Sequence, residues 1–418
     1  MSDNASVEQA REQLLAITPT LDAEEVGLLD ALGRVLAVDA ISDIDVAPFD
    51  NSAMDGFAVR SADLADATAE NPAHLTVIAH IGAGDWFDGT LVDGQVARIM
   101  TGAPVPAGAD SVVKVEDIVV ASGDGSVGST IAFFAPSDTG RNIRRRGEEV
   151  SAGDVVLEAG EVLGPAAIGL LASTGHPRVA VHPRPRVAVV STGSELVDAD
   201  VVPARGQIRN SNSYSISAQV LSAGGLPVTH PCIADTADAT REVLTRASAE
   251  CDFVITSGGV SVGDFDFVKP VLEEIGTLHY YNVNMRPGKP QTMGVIGDTP
   301  FFGLPGNPTS TFVGFEIFIR PALRKMQGFS ALFRPITRAR ITHDAKKRVA
   351  QRYFLRGVVE PAEDGGFVCT VQGSQSSALL RSAHQANALI VLPEGADLVV
   401  AGTEIDCIRL DIDEGALL

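Results

Sequence analysis

The chain is short of cysteine, of lysine and of long apolar runs, and each shortage argues against a class of function. Its four cysteines, Cys232, Cys251, Cys369 and Cys407, are widely scattered and make no metal-ligand spacing. That speaks against a zinc site and a disulfide framework and suits a reducing compartment. No apolar run reaches the length of a membrane span, and the polar start Met1-Ser-Asp-Asn-Ala does not read as a signal peptide. A cytoplasmic protein is the expectation. The net charge of −21 disfavours nonspecific nucleic-acid binding and an anionic membrane surface. An anionic small substrate would have to be collected by local positive groups, so the few lysines near glycine loops stand out. The chain's lysines are Lys114, Lys269, Lys289, Lys325, Lys346 and Lys347.

What is present is ordinary globular material: 45% hydrophobic and 20% charged residues. At 418 residues the chain is too long for one core and implies two to four domains. The spacing predicts helices over 7–17 and around 28–36, then a mostly β stretch over 47–140. Within it, strand-like runs fall at 75–79, 96–100, 111–115 and 118–120, and Asp55-Gly56 reads as a turn feeding a strand. Arg141-Asn-Ile-Arg-Arg-Arg-Gly-Glu-Glu149 is the densest positive cluster; a solvated turn and a phosphate contact both remain open for it. A short apolar helix is expected over 165–173, with proline at its start. From residue 184 apolar strands at 187–190, 228–233, 253–255 and 301–304 alternate with helices at 213–223, 237–249, 268–275 and 309–326. That alternation predicts a parallel sheet with helices on both faces. Beyond Phe333 strands and polar turns run to the end. The fold class is thus multidomain α/β plus β: a split N-terminal domain (1–46 and 141–183), an inserted β-rich domain (47–140), a central α/β domain (184–328) and a C-terminal β domain (329–418).

The chemistry concentrates in the α/β part. Asp252-Phe-Val-Ile-Thr-Ser-Gly-Gly-Val-Ser-Val-Gly-Asp-Phe-Asp266 is a strand, a glycine loop and a helix start, which gathers backbone N–H groups where an anion can sit. Ser257, Gly258, Gly259 and Ser261 are candidate binding positions, with Asp264 and Asp266 beside them. Carboxylates next to an anion site imply a divalent cation between them, and Mg²⁺ is the expectation. Glu195, Asp235 and Asp266 each follow a different strand of the sheet, and positions past parallel strand ends converge on one crevice. For Asp235 a helix cap is an equal alternative. Met285-Arg-Pro-Gly-Lys-Pro290 offers Arg286 and Lys289 in a proline-stiffened turn suited to an oxyanion. Leu304-Pro-Gly-Asn-Pro308 places Gly306, Asn307 and Pro308 at a helix start.

Six stretches in this order resemble one family, the MoeA-type molybdenum insertases, to which the gephyrin E-domain belongs. They are Asp50-Asn-Ser-Ala-Met-Asp-Gly56, Met100-Thr-Gly-Ala-Pro104, Asn142-Ile-Arg-Arg-Arg-Gly-Glu148, Ser257-Gly-Gly-Val-Ser-Val-Gly263, Arg286-Pro-Gly-Lys-Pro290 and Leu304-Pro-Gly-Asn-Pro308. The resemblance implies a transferase of molybdenum cofactor biosynthesis that inserts molybdate into adenylylated molybdopterin. The reaction is Mg²⁺-dependent and releases AMP and the cofactor. It further implies a molybdopterin-binding α/β domain and a homodimer with its cleft shared between subunits. Molybdopterin adenylyltransferase and molybdoenzyme apoproteins or chaperones are the implied partners.

Residue by residue, the resemblance points to Asp55, Thr101, Glu195, Asp235 and Asp266 as active-site positions, Glu195 and Asp266 being the metal ligands. Arg286, Lys289 and Pro290 match the oxyanion loop, while Arg356 of Tyr353-Phe-Leu-Arg-Gly and Ser377 of Gly373-Ser-Gln-Ser-Ser377 match the residues that help hold molybdate. Glu149 stands where the family often has Asp, Arg286 where it often has Lys, and Asn282 where some members have Lys. Two rival readings share part of this pattern. Another enzyme on the same α/β unit, such as a molybdopterin adenylyltransferase, would lack the 50–56 and 101–104 stretches. A gephyrin-type scaffold is expected to carry a fused domain or long linker, which this sequence does not show.

Overall fold

The structure is a computed structural model that describes residues 5–233, 236–259, 267–347, 351–395 and 397–416. The chain divides into two compact units, 25–179 and 1–24 with 180–418.

The first unit is built on a six-stranded sheet. Its order is Ser111–Lys114, Gly56–Val59, Gln95–Ile99, Ala73–Ile81, Thr130–Phe133 and Ile118–Ser122. Only the Ala73–Ile81 and Gln95–Ile99 pair is parallel. Phe57, Val77, Val96 and Phe133 fill one side of it. Gly56 is required there, because a Cβ would lie 2.1 Å from the Val113 carbonyl oxygen. Helix Pro165–Ser173 forms as expected, with Pro165 in its first turn. The helix expected around 28–36 does not: only Leu28–Ala31 makes a single 3₁₀ turn. Gly33 has φ +76°, and the N–H groups of Gly33 and Leu36 bond to Leu163 and Glu161 instead of to a preceding turn. Cross-chain pairing has taken the donors a helix would need.

In the second unit, Leu226–Thr229, Arg186–Ser191, Phe253–Ser257 and Thr299–Leu304 lie side by side and parallel. Continuous apolar runs such as Phe253-Val-Ile and Val187-Ala-Val-Val suit strands covered on both faces. The sheet is not wholly parallel, however. Pro290–Ile296 and Thr277–Asn282 extend it by antiparallel pairing. Helices Ser211–Ser222, Ala237–Glu250 and Val268–Ile275 follow their strands, with Asn210 and Thr236 accepting N–H bonds as caps of the first two. Helix Val7–Ile17, opened by a capping box between Ser6 and Gln9, lays Val7, Ala10 and Leu14 into the same core. The segment expected as one helix over 309–326 is α-helix Pro308–Gly314, a π turn Phe315–Ile319 and α-helix Arg320–Met326.

The remaining strands close on themselves. Arg352–Pro361 pairs with Phe367–Val371 and Ala388–Leu392, and Ile336–Ile341 and Glu404–Arg409 complete the ring. The result is a five-stranded barrel, interrupted by the single helical turn Arg381–His384. Met285–Arg286, from the α/β part, adds to this barrel alongside Arg352 and Tyr353. No helix among the described residues is long and apolar enough to cross a membrane.

Candidate active site

Two cavities of the second unit meet at Asn307. The first, about 460 Å³, is walled by the 286–290 loop, by Pro305, Asn307 and Ser310, and by barrel residues Tyr353, Leu355, Arg356 and 375–377. Register puts these together: Arg286 pairs opposite Tyr353, so the loop that follows it faces the strand carrying Arg356. The Arg286 Nε donates to Gln351 Oε1 at 3.1 Å, which steers the exposed guanidinium. Gly288 has φ +91°, and a Cβ there would meet Gln291 Nε2 at 3.0 Å and Ser310 Cβ at 3.4 Å.

Arg356 is the unusual member. It is 1% exposed. Its Nε donates to Ser382 Oγ at 3.3 Å, and Nη2 donates to the carbonyls of Ser374 and Ser376 at 3.4 and 3.2 Å. None of these partners is a carboxylate. Burial pushes the guanidinium down to about 10, which leaves it charged at neutral pH. A buried cation without a counter-charge is expensive unless something anionic arrives. Gln375 pins the neighbouring loop: its Oε1 accepts from the Arg356 N–H at 3.0 Å, and its Nε2 donates to the carbonyls of Arg356 and Gln372 at 3.1 and 2.7 Å.

The second cavity, about 610 Å³, is walled by Thr192, Gly193, Glu195, residues 209–212, Ser257, Gly258, Gly259 and 306–308. Three of these stretches leave the C-terminal ends of neighbouring parallel strands, where crevices form in open α/β sheets. Ser257 is buried at its strand end, and Gly258 and Gly259 take φ +88° and +69°. Glu195 is exposed at the rim. Where the first cavity gathers Arg286, Lys289 and Arg356, this one gathers mainly oxygen and amide groups, with Arg209 the one cation among its lining residues.

Comparison with known proteins agrees with this architecture. Three family descriptions match in chain order: "MoeA N-terminal region (domain I and II)" over 5–175, "Probable molybdopterin binding domain" over 188–325 and "MoeA C-terminal region (domain IV)" over 338–410. A molybdopterin molybdenumtransferase from Staphylococcus aureus is 36% identical over 408 residues, covering 97% of this chain and 96% of that protein. Molybdopterin molybdenumtransferase 2 of Mycobacterium tuberculosis is 39% identical over 386 residues, covering 91% and 93%. The chain belongs to the molybdopterin molybdenumtransferase family. The crystal structure of a MoeA molybdopterin biosynthesis protein from Pyrococcus horikosii superposes with a TM-score of 0.84 at 30% identity, covering 98% of this chain and 99% of that one. As a member of the family the chain is a transferase of molybdenum cofactor biosynthesis, with the family's multidomain fold.

Within that frame the residues singled out from the sequence fall into groups. Arg286, Lys289, Pro290, Arg356 and Ser377 all line the first cavity, and Asn307 lines both. Glu195, Ser257, Gly258, Gly259, Gly306 and Pro308 line the second. Asp235, Ser261 and Asp266 lie outside the described residues. In the other compact unit, Asp55 and Thr101 are joined: the Thr101 hydroxyl and N–H both donate to Asp55 Oδ1 at 2.7 Å. Those bonds hold the Asp55 carboxyl below the usual range. In the basic 141–149 stretch, Arg145 pairs with Asp50 at 2.6 Å and Arg146 with Asp45, so for these two arginines the structure favours a salt-bridged turn. Among the described residues no three His, Cys, Asp or Glu side chains gather as a metal cluster. Sequence reasoning passed over Gln375 and Asn212. Gln375 sits in the middle of the Gly373–Ser377 stretch, and Asn212 lies just before the expected helix start at 213.

Proposed function

We propose that this chain inserts molybdate into adenylylated molybdopterin, the first cavity taking the oxyanion and the second the adenylylated pterin. The observation that carries the reading is Arg356, buried and charged beside a cavity with no acid against it. A tetrahedral dianion between Arg356, Lys289 and Arg286 would be met by charge-assisted donors, and the Ser377 hydroxyl adds a neutral one. Because Asn307 lines both cavities, an oxyanion in one lies next to a dithiolene extending from the other. The pterin supplies the sulfur ligands of molybdenum, so no protein cysteine is required. Insertion then consists of holding two anions against each other in a protein whose net charge is −21.

Mg²⁺ fits the second cavity on the chemistry of its donors, which are carboxylate, amide and hydroxyl oxygens. Glu195 would hold it together with Asp266. When bound, the cation offsets these carboxylates and the charge of the adenylyl phosphate. In this reading the working unit is a cytoplasmic homodimer in which Asp55 and Thr101 serve a site shared between subunits. Molybdopterin adenylyltransferase would supply its substrate, and molybdoenzyme apoproteins or their chaperones would receive its product.

The test is reconstitution: purified protein with adenylylated molybdopterin, molybdate and Mg²⁺, monitoring AMP release and cofactor formation. Both products should appear and should require Mg²⁺; binding of the pterin without turnover would favour the scaffold reading. In the same assay, an equimolar mixture of Asp55→Ala and Asp266→Ala subunits should recover about a quarter of wild-type activity if sites are shared across a two-fold axis. A mixture as inactive as its parents, with exchange verified, places both residues in one subunit's site.

A further inference from the structure

We infer that Asn212 is a positioning residue of the second cavity: its buried amide ties the strand end at Ser257 to the loop at Gly306 and so fixes the width of the slot in which the adenylylated pterin lies. The inference rests on the reading of that cavity given above. It begins with where the β ladder stops. Strands Phe253–Ser257 and Thr299–Leu304 pair as far as Ser257 opposite Leu304, with one further bond from the Gly258 N–H to the Leu304 carbonyl at 3.1 Å. Beyond that point the two chains part, one into Gly258 and Gly259, the other through Pro305 and Gly306 into the helix at Pro308. That parting opens the cavity.

The Asn212 amide bridges the gap. Its Nδ2 donates to Ser257 Oγ and to the Gly306 carbonyl, both at 2.8 Å, with Thr311 Oγ1 at 3.5 Å. Asn212 sits in the first turn of helix Ser211–Ser222, but capping there is done by Asn210, whose side chain accepts from the Ser213 N–H. The Asn212 side chain is thus free to reach across the sheet's end rather than serve its own helix, and it is 9% exposed. The amide orientation is set by its partners, since turning it over would aim its oxygen at the Gly306 carbonyl.

The residue lines the cavity wall, but its Oδ1 is buried, with no hydrogen-bond partner among the described residues. The side chain is therefore held through its nitrogen, and Asn212 spaces the two loops without itself meeting the ligand.

The test separates the two substrates. Asn212→Leu removes donor and acceptor, Asn212→Asp keeps acceptor oxygens but loses the tie, and Asn212→Ser leaves one short hydroxyl. Steady-state AMP release should show the KM for adenylylated molybdopterin raised roughly 10- to 100-fold in the Leu and Asp variants and less in Ser. The kcat and the molybdate concentration for half-maximal rate should stay within about threefold, since the Arg356 cavity is untouched. If Leu fails to fold, Asp and Ser carry the same split. An unchanged pterin KM overturns the inference, and so does a parallel rise for both substrates, which would mark Asn212 as part of the general scaffold. Wild-type protein that neither binds nor turns over the adenylylated pterin overturns the reading of the cavity itself, and this inference with it.

Discussion

Arg320 and Arg356 are the two most deeply buried arginines of the described residues, and their surroundings are opposite. Arg320 lies just past the π turn, where its guanidinium pairs with Glu414, the Nη2 to Oε2 distance being 3.0 Å. It also donates to Ser222 at 3.2 and 3.3 Å. Glu414 is shared with Arg324 at 3.4 Å, and Glu316 is held by Arg334 at 2.9 Å and by Gln219 at 2.9 Å. Burial works against the charge on Arg320, yet Glu414 and Glu316 outweigh it and raise its pKa. Arg356 has carbonyls and hydroxyls only, and burial pushes it down to about 10. A buried cation matched by the protein's own acids holds elements together; one left unmatched at a cavity is, on the reading proposed above, free to meet an anionic ligand.

Three changes probe that contrast, from largest to smallest expected effect. Glu414→Ala strips Arg320 of its main partner and leaves a buried charge, so urea unfolding should show a loss of about 3–5 kcal/mol. The molybdate dependence of turnover should barely move. The Glu414 carboxyl lies below its usual range, because Arg320 overcomes the opposing effect of burial. Its contribution is therefore complete above the ordinary carboxylate pKa and is lost as pH falls through the depressed value, so the variant's stability should fall less steeply in acid.

Arg356→Met should act the other way round. Removing an unmatched buried charge should leave the urea midpoint unchanged or raise it. The molybdate concentration for half-maximal insertion should rise by roughly one to two decades, at about 1.5–3 kcal/mol per charge-assisted bond. Thermal stabilisation by added molybdate, expected of the wild type, should disappear. A variant that loses stability as Glu414→Ala does would make Arg356 another structural cation. The smallest effect is expected from Arg145→Ala, whose ion pair with Asp50 lies at the surface. Its unfolding midpoint should shift far less than that of Glu414→Ala, and the remaining shift should shrink with added salt.

Much of the α/β part could be read from the sequence because its strands are short β-branched runs separated by amphipathic segments. Helix Val7–Ile17 and helix Val268–Ile275 fall where the spacing placed them. The strands Thr277–Asn282 and Pro290–Ile296 were missed altogether: only the turn at 285–290 stood out between the helix at 268–275 and the strand at 301–304. The helix around 28–36 failed because propensity competes with tertiary pairing, and the partners at 161–163 are distant in sequence. The described glycine positions, Gly258, Gly259 and Gly306, fall just past strand ends, where the sequence placed them. Arg356 was not legible in this way: its strand reads Tyr353-Phe-Leu-Arg-Gly, and only family resemblance drew attention to the arginine. Its phase, two residues from Phe354 on the strand face packed against the α/β core rather than the barrel interior, became a signal once the barrel was seen. Asn212 was hidden by its company, since a polar residue at a helix start is usually a cap.

The pairing of Met285–Arg286 with the barrel strand has a consequence for how the chain reaches its native state. The two residues belong by sequence to the α/β part but find their ladder partners at Arg352 and Tyr353. An intermediate in which only the α/β sheet has formed would hold Lys289 without Arg356, and a free barrel would hold Arg356 without Lys289. Neither would be a receptor for a dianion. On the reading proposed above, the pocket would come into being when the two parts dock, and molybdate present during refolding would act only on that event. It would trap the finished chain without guiding the earlier steps, and its release on unfolding would time the moment at which the two sheets come apart.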